Sequence, residues 1–266
     1  MQRLKVEKDA GTWTVRFHNP PHHYMDRHTA TALEALLDDV QASDEVRVVI
    51  LTGSEPGLFI RHYDVSELLQ LAKELAEQGA QFSIDNPSPE AVVHRCYRRM
   101  EELPVPFIAA INGHAMGGGF EMALACDIRL VQDGEFDLGL PEVNIGILPG
   151  AGGTQRLPRL IGQSRALQMM LLGNTITPRQ AVDYGIAMEC VDGDVQHRAK
   201  EIASQIATLP PNALAHIKHL VRSAADYSLQ DGLARERTLF MDLMVSNDGL
   251  ERMQNMVDGG DIRNTH

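Results

Sequence analysis

The chain has 266 residues, of which 44% are hydrophobic, so it is long enough to bury a sizeable core as one large domain with an appendage. Its formal net charge of -12 argues against nucleic acid or an anionic membrane as a general partner. No apolar run approaches the roughly 20 residues of a membrane helix, residues 1–11 lack a signal-peptide core, and the three cysteines are widely spaced, which together predict a reduced, cytoplasmic protein.

The chain is predicted to begin with a β-hairpin that leads into a histidine-rich loop. Residues 4–17 alternate apolar and polar side chains around Asp9-Ala10-Gly11, which is the signal of a hairpin turn. The loop 18–23 and His28 place four histidines within eleven residues, a density that suggests a metal site. No acid or thiol stands at a ligand spacing and two prolines break any shared face, so we predict no metal.

Helices and buried strands then alternate along the chain. A helix over residues 29–42 is predicted from its helically spaced apolar residues, Leu33, Leu36, Leu37 and Val40. Residues 46–51 are predicted to form a buried strand that ends at Thr52-Gly53. A second helix, 64–78, has Val65, Leu68, Leu69 and Leu75 on its apolar side.

A polar, proline-containing break over residues 79–89 is typical of a mobile loop. Ser88-Pro89-Glu90 predicts the next helix start, because it supplies a cap, a first-turn proline and an acid that suits the helix dipole. Units of strand, strand and helix recur with short connections to about residue 190. This recurrence predicts an α/β fold with repeated β-β-α units.

The central stretch combines a buried strand with a glycine triplet. Residues 107–111 are short and apolar and end at Asn112-Gly113, which predicts a buried strand, and residues 116–126 are predicted to form a helix. Glycines weaken an element interior, so Gly117-Gly118-Gly119 needs a reason. One is tight packing against a strand. The other is a backbone N–H directed at a ligand oxygen that becomes negative during reaction.

Two glutamates stand in settings that a structural role explains poorly. Glu121 lies among the apolar residues of the predicted helix, although carboxylates are rarely buried unless they are paired or functional. Glu142 follows Leu140-Pro141 in a loop, and taken alone it is more simply a surface acid. Residues 146–156 are as rich in glycine as a phosphate loop, but no GK[ST] or strand-following GxGxxG is present, which argues against nucleotide hydrolysis and dinucleotide binding.

The last third of the chain is predominantly helical. Thr177-Pro178-Arg179-Gln180 is a capping box with proline in the first turn, and residues 186–191 are predicted to form the last strand. Helices are predicted over residues 197–209, 212–225 and 228–245, with a domain boundary near residue 195. The surplus of leucine and methionine in this region would pack either on its own domain or in a subunit interface. It includes Leu239, Met241, Leu243 and Met244.

Two segments carry a family resemblance. AINGHAMGGGFEMALACDIRL and FDLGLPEVNIGILPGAGGTQRLPRLIG closely resemble the enoyl-CoA hydratase/isomerase group of the crotonase superfamily. The resemblance implies a crotonase-like spiral of β-β-α units over residues 1–195. It also implies a C-terminal helical region, 196–266, that builds trimers, often paired into hexamers.

The resemblance also implies a reaction and its residues. The substrate is an acyl-CoA, and water adds reversibly to a trans-2-enoyl-CoA to give a 3-hydroxyacyl-CoA, with no cofactor beyond the coenzyme A of the substrate. Glu121 holds and activates the water and Glu142 delivers the α proton. The backbone N–H groups of Tyr63 and Gly118 form the oxyanion hole. The expected substrate contacts are Pro21, His22, Arg61, His62, Asp64, Gly117 and Pro141.

The sequence departs from the family pattern near the thioester and the nucleotide. Residues 59–65 read Phe-Ile-Arg-His-Tyr-Asp-Val where Phe-Ser-Ala-Gly-Ala-Asp-Leu is usual, so His62 replaces a glycine and is predicted to take a left-handed backbone at some strain. Pro20 and His22 stand where basic residues are common. Met253 and Met256 stand where the family tends to have an aromatic and a basic residue.

These departures leave two alternatives to the hydratase. The bulky His62-Tyr63 pair is compatible with an isomerase or decarboxylase of the same fold. The reduced nucleotide contacts are compatible with a non-catalytic scaffold that binds coenzyme A. Retention of both glutamates favours the hydratase, because double-bond isomerases commonly need only the acid at the Glu142 position.

Overall fold

The computed structural model describes residues 3–262, which contain two β-sheets. The strands are β1 (Leu4–Asp9), β2 (Thr12–Phe17), β3 (Val48–Gly53), β4 (Gly57–Ile60), β5 (Phe107–Ile111), β6 (Gly113–Met116), β7 (Ile128–Gln132), β8 (Leu138–Gly139), β9 (Thr175–Ile176) and β10 (Glu189–Val191). A six-stranded sheet has the order β1-β2-β3-β5-β7-β10, and a four-stranded sheet has the order β4-β6-β8-β9.

Helices cover both faces of the larger sheet. They are α1 (Arg27–Ala42), α2 (Val65–Glu77), α3 (Val92–Glu102), α4 (Gly118–Ala125), α5 (Gly153–Ile161), α6 (Gln163–Leu172), α7 (Pro178–Asp183), α8 (Val195–Ala207), α9 (Pro211–Arg222), α10 (Leu229–Met244) and α11 (Asn247–Val257). A single 3-10 turn, Glu142–Ile145, lies between β8 and α5. This mixed α/β arrangement confirms the predicted fold class.

The larger sheet is parallel apart from its first pair. β1 and β2 are antiparallel and turn at Ala10 and Gly11, which confirms the hairpin. β3 and β5 pair in parallel and every residue of both is buried, as expected for strands covered on two faces. Along β3, Val49 and Leu51 face the main core, whereas Val48 and Ile50 face a smaller core formed with α8. The alternation of a strand thus divides the apolar residues between two layers of helices.

The prediction that Ser88-Pro89-Glu90 begins a helix is wrong. α3 begins at Val92, and the N–H of Ala91 donates to Nδ1 of His94, so a histidine takes part in the cap. Glu90 instead accepts a hydrogen bond of 2.8 Å from Arg98.

The helix predicted to begin at residue 116 is also shorter than expected. Met116 ends β6, where it pairs with Gly139 of β8, and α4 begins only after Gly117. A pattern of apolar residues alone does not distinguish this strand end from the helix that follows it.

The apolar side of α2 does not face the core. No residue of α2 is buried, and Val65 and Leu69 are 42% and 54% exposed. α10 and α11 likewise bury no residue, and Phe240 of α10 is 58% exposed. Within residues 3–262 the leucine and methionine surplus is therefore only partly covered, with Leu239, Leu243 and Met244 half-buried and Met241 exposed. The subunit interface and the boundary near residue 195 stay predictions, although α8 packs on the sheet.

Candidate active site

The predicted site residues meet at the turn between β6 and α4. Gly117 has a φ of 50°, a conformation that side chains rarely adopt. A Cβ on Gly117 would lie 3.1 Å from Oε1 of Glu142 and 3.7 Å from Cβ of His62. Gly119 packs against a strand, because its Cβ would lie 2.2 Å from the carbonyl oxygen of Ile60. Tight packing against a strand, one of the two predicted reasons for the glycine triplet, is therefore confirmed at Gly119, and the N–H directed at a ligand stays a prediction.

The backbone N–H groups of Tyr63 and Gly118 lie beside each other at this turn. A Cβ on Gly118 would be 3.7 Å from the nitrogen of Tyr63. The carbonyl of His62 accepts from the N–H of Met25, and a trans peptide directs its N–H the opposite way, so the Tyr63 N–H points away from Met25. Neither the Tyr63 nor the Gly118 N–H donates to an acceptor within residues 3–262. Two unbonded N–H groups thus lie at one turn, and the oxyanion hole that they would form stays a prediction.

Glu121 is buried and held by a loop 30 residues later in the chain. Its side chain lies one turn into α4, and the residue is 2% exposed. Its Oε1 accepts the N–H groups of Ala151 and Gly153 at 2.7 and 2.8 Å. Burial raises the pKa of this carboxyl, while the two N–H groups and the charge of Arg156 oppose the rise. Oε2 accepts no hydrogen bond from the described residues and is the oxygen able to hold a water molecule.

Glu142 begins the 3-10 turn after β8, and Pro141 immediately precedes that turn. Its Oε2 is buried and finds no hydrogen-bond partner among residues 3–262. Burial raises the pKa of Glu142 to about 7, and the charge of Glu121 contributes to the rise against an opposing backbone hydrogen bond. A carboxyl with this pKa can give or take a proton near neutral pH. The nearby Glu121 makes Glu142 more than the surface acid that its sequence setting alone favours.

The predicted left-handed backbone at His62 is wrong. Among residues 3–262 the non-glycine residues with positive φ are Ala10 and His23. The N–H of Met25 donates to the carbonyl of His62 and the N–H of Asp64 donates to the carbonyl of Met25, and this bridge keeps the segment extended. A histidine therefore replaces the family's glycine without the strain that we predicted.

The His62 ring is part of a stack of three aromatic rings. Its Nδ1 lies 2.7 Å from the carbonyl oxygen of Tyr63. The ring stacks on Tyr24 at a centroid distance of 4.4 Å, and Tyr24 stacks on His22 at 5.1 Å. His62 borders the turn at Gly117, and the stack joins His22 to it through Tyr24.

The other predicted contact residues have mixed surroundings. Arg61 and Pro21 are exposed. Asp64 caps α2 by accepting the N–H of Ser66, which gives it a structural role. The Tyr63 hydroxyl donates to Glu67, and burial together with this acid raises its pKa to about 12. Contact of these residues with a substrate stays a prediction.

Two features of the site were missed in the sequence. Tyr97 of α3 is fully buried, and its hydroxyl donates to the carbonyl of Gly118 at 2.7 Å. In the sequence, nothing distinguishes the signal of Tyr97 from that of any other residue on the apolar side of a helix. The binding of Glu121 by Ala151 and Gly153 was also missed, although the density of glycines over residues 146–156 was a signal of close backbone approach.

The histidine-rich loop does not form a metal site. Within the part of the chain that the structure describes, no group of three or more histidine, cysteine, aspartate or glutamate side chains could hold a metal ion. His18 instead pairs with Ser54 at 3.0 Å, and His23 packs edge-on against His18. None of the helices of residues 3–262 is long and apolar enough to cross a membrane.

Known proteins with the same fold and motifs are enzymes. The family model described as enoyl-CoA hydratase/isomerase matches residues 7–260. The chain is 33% identical to a probable enoyl-CoA hydratase of Bacillus subtilis (strain 168) over 96% of this chain and 95% of that protein. It is 39% identical to the 2,3-dehydroadipyl-CoA hydratase of Escherichia coli (strain K12) over 81% and 78% of the two chains.

A solved structure shows the same architecture. The enoyl-CoA hydratase from Bacillus anthracis superposes with a TM-score of 0.86 at 30% identity, over 97% of this chain and 96% of that chain. Fold and site together define an enzyme of the hydratase/isomerase type. The chain belongs to the enoyl-CoA hydratase/isomerase family of the crotonase superfamily. This membership does not support the alternative of a non-catalytic scaffold.

Proposed function

We propose that this enzyme adds water reversibly to a trans-2-enoyl-CoA and gives a 3-hydroxyacyl-CoA. The observation that carries the proposal is the convergence of the buried Glu121 and the half-buried Glu142, whose Oε2 is itself buried, beside two unbonded backbone N–H groups. An acid and a base next to an oxyanion hole are the groups that hydration of a conjugated thioester requires.

The chemistry follows from the thioester. Its carbonyl oxygen accepts the N–H groups of Tyr63 and Gly118, which stabilise the enolate formed when water adds to the β carbon. One such donor is typically worth about 3 to 4 kcal/mol. Glu121 takes a proton from the water, and protonated Glu142 gives its proton to the α carbon. A proton must then move from Glu121 to Glu142 to restore the enzyme, and coenzyme A takes part only as a portion of the substrate.

The first test follows crotonyl-CoA by loss of the conjugated thioester absorbance. Glu121→Gln and Glu142→Gln should each lower kcat by about 10² to 10⁴, because each removes one general acid-base step. Both variants should fold as the wild type does. Glu135→Gln, an exposed glutamate in a loop, is the matched control and should keep full activity. Unchanged turnover in either variant would contradict the assignment.

The acyl group is open to a direct comparison. Because the relative from Escherichia coli is named a 2,3-dehydroadipyl-CoA hydratase, a substrate with a terminal carboxylate should be assayed together with crotonyl-CoA. A higher kcat/KM for 2,3-dehydroadipyl-CoA would assign the enzyme to that substrate class, and a preference for crotonyl-CoA would assign it to short, unsubstituted chains.

A second candidate is the shift of a double bond in a 3-enoyl-CoA. It is favoured by the unequal settings of the two acids, since Glu121 is held by two N–H groups while the Oε2 of Glu142 is unpaired. One free base suffices for such an isomerisation. Turnover of a 3-enoyl-CoA that survives in Glu121→Gln but is abolished in Glu142→Gln would identify an isomerase.

We also propose that the protein is a cytoplasmic homotrimer or a dimer of trimers. The exposed apolar residues of α10 and α11 support a subunit interface, because a free surface rarely keeps so many. They include Phe240, Met241, Leu250 and Met253. Light scattering during gel filtration would give the mass, and a monomer would contradict the proposal.

A further inference from the structure

Five charged side chains connect helix α9 to the loop that binds Glu121. They are Lys218 and Arg222 on α9, Glu101 on α3, Asp127 after α4, and Arg156 on α5. Each is mostly buried, with a side-chain exposure of 7% for Lys218 and no more than 28% for the others. None of them belongs to the predicted substrate site.

The inner part of this charged network reaches the residue that binds Glu121. Arg156 forms a two-pronged pair with Glu101, at 2.8 Å from Nε and 2.6 Å from Nη2. Its Nη1 donates to the carbonyl of Ala151 at 2.8 Å, and the N–H of Ala151 donates to Glu121. A Cβ on Gly152 would lie only 2.0 Å from Nη1, so the loop is built around this guanidinium.

The outer part of the charged network joins α9 to the helix that carries Glu121. Arg222 donates to Glu101 at 3.2 Å and to Asp127 at 2.9 Å. It also donates to the carbonyl of Ala125, the last residue of α4, at 2.9 Å. Lys218 contacts the second carboxylate oxygen of Asp127 at 2.9 Å. Helix α9 is thus bonded directly to the end of α4, which carries Glu121, and through Glu101 to Arg156.

Buried ion pairs often contribute little net stability, because desolvation offsets their attraction. Here one member, Arg156, bonds the backbone that holds a carboxylate, and its charge also opposes the rise that burial causes in the pKa of Glu121. We propose that Arg156 and Glu101 are positioning residues that hold Glu121 for catalysis, with Arg222 joining them to α9. This inference rests on the proposed function of Glu121.

The test uses crotonyl-CoA turnover with three variants and a control. Arg156→Lys keeps the charge but not the planar fork, and Glu101→Gln removes the counter-charge. Both should lower kcat about 10- to 100-fold and change KM less than about threefold, because neither residue lies in the substrate site. Glu102→Gln is the control, since the neighbouring Glu102 is exposed and, among residues 3–262, pairs only with Arg98. It should match the wild type.

A pH profile separates positioning from simple stability. Glu121 must be ionised to accept a proton, so activity falls at low pH as it becomes protonated. Arg156→Gln should move this acidic limb to higher pH, because the positive charge that lowers the pKa of Glu121 is lost. Arg156→Lys should leave the limb in place. Should Arg156→Gln fail to fold, Arg156→Lys still tests the kcat effect.

Amide hydrogen exchange of residues 150–153 gives a readout that needs no turnover. Exchange should be faster in Arg156→Lys and Glu101→Gln than in Glu102→Gln, because the first removes the guanidinium that bonds the Ala151 carbonyl and the second removes the carboxylate that holds that guanidinium. The inference would be overturned if Arg156→Lys and Glu101→Gln showed the same exchange and the same kcat as the control Glu102→Gln. Failure of the wild type to hydrate any 2-enoyl-CoA would instead contradict the proposed function, since that result comes from the unaltered protein.

Discussion

Glu142 shows how a single carboxyl is tuned by its surroundings. Its Oε2 lies buried without a partner in the described chain, so on ionisation that oxygen gains no hydrogen bond there to offset its burial. The same property that makes its proton transferable near neutral pH makes the ionised form costly to the fold. The ionised form of Glu121 is stabilised instead, because two backbone N–H groups donate to its Oε1.

Glu142 should therefore make stability depend on pH. The pKa of Glu142 rises from an ordinary value of 4.5 to about 7 on folding. The contribution of its protonated form to the free energy of unfolding is therefore fully present below pH 4.5 and is lost as the pH rises through 7. Glu142→Gln should be more stable than the wild type at pH 8, by about 1 kcal/mol after screening by solvent, or about 2–4 °C in Tm. Thermal unfolding of both proteins at pH 8 and pH 4 measures this. An equal difference at the two pH values would refute it.

Helix α3 is the element that supports the site from behind. Tyr97 and Glu101 lie one turn apart on the same face, where the first bonds the carbonyl of Gly118 and the second bonds Arg156. One helix thus contacts both the peptide segment of the oxyanion hole and the support of Glu121. Its amphipathic pattern indicates only that this face is buried, and the identity of its partners depends on chain segments about 20 and 55 residues away.

Tyr97→Phe is the smallest change that tests this support. It leaves the buried carbonyl of Gly118 without its side-chain donor, which should cost about 1–3 kcal/mol in the free energy of unfolding. kcat should fall several-fold, since Gly118 supplies a predicted oxyanion donor. Urea unfolding and crotonyl-CoA turnover provide the two measurements. Tyr227→Phe, which removes a hydroxyl from a partly exposed ring, should change neither quantity.

At the scale of the whole molecule, burial is uneven. The larger sheet and helices α1, α3, α4 and α8 contain most of the core, whereas α2, α10 and α11 bury no residue. α9 is joined to the core largely by its charged residues Lys218 and Arg222. The exposed apolar surface of α10 is the part whose burial requires another subunit under the proposed assembly.

A charge on α10 should weaken that assembly. Phe240→Glu places a carboxylate on a 58% exposed aromatic position, and burying that charge in an interface would be unfavourable. The mass from light scattering should fall to that of a monomer, while the circular dichroism spectrum stays unchanged. Thr238→Glu adds the same charge to an exposed polar position of the same helix and should leave the mass unaltered. Identical masses for the wild type and Phe240→Glu would argue against this interface.

Elements whose signals are local could be predicted from the sequence. The hairpin at Ala10 and Gly11, helix α1, the capping box at Thr177 and the buried strand β5 all follow from turn residues and periodicity, and all are confirmed. It also identified Glu121, because an acid among apolar residues needs a reason. The resemblance of two long segments then identified the family.

The contacts between these elements depend on the folded chain and could not be predicted from local signals. The partners of Glu121 and Arg156 lie 30 and 55 residues away, and no periodic pattern encodes such pairings. The extended backbone at His62 depends on its hydrogen bonds with Met25. The apolar side of α2 is exposed because no other element of residues 3–262 buries it. Local propensity is set by neighbouring residues, whereas burial, pKa and hydrogen-bond partners are set by segments brought together on folding.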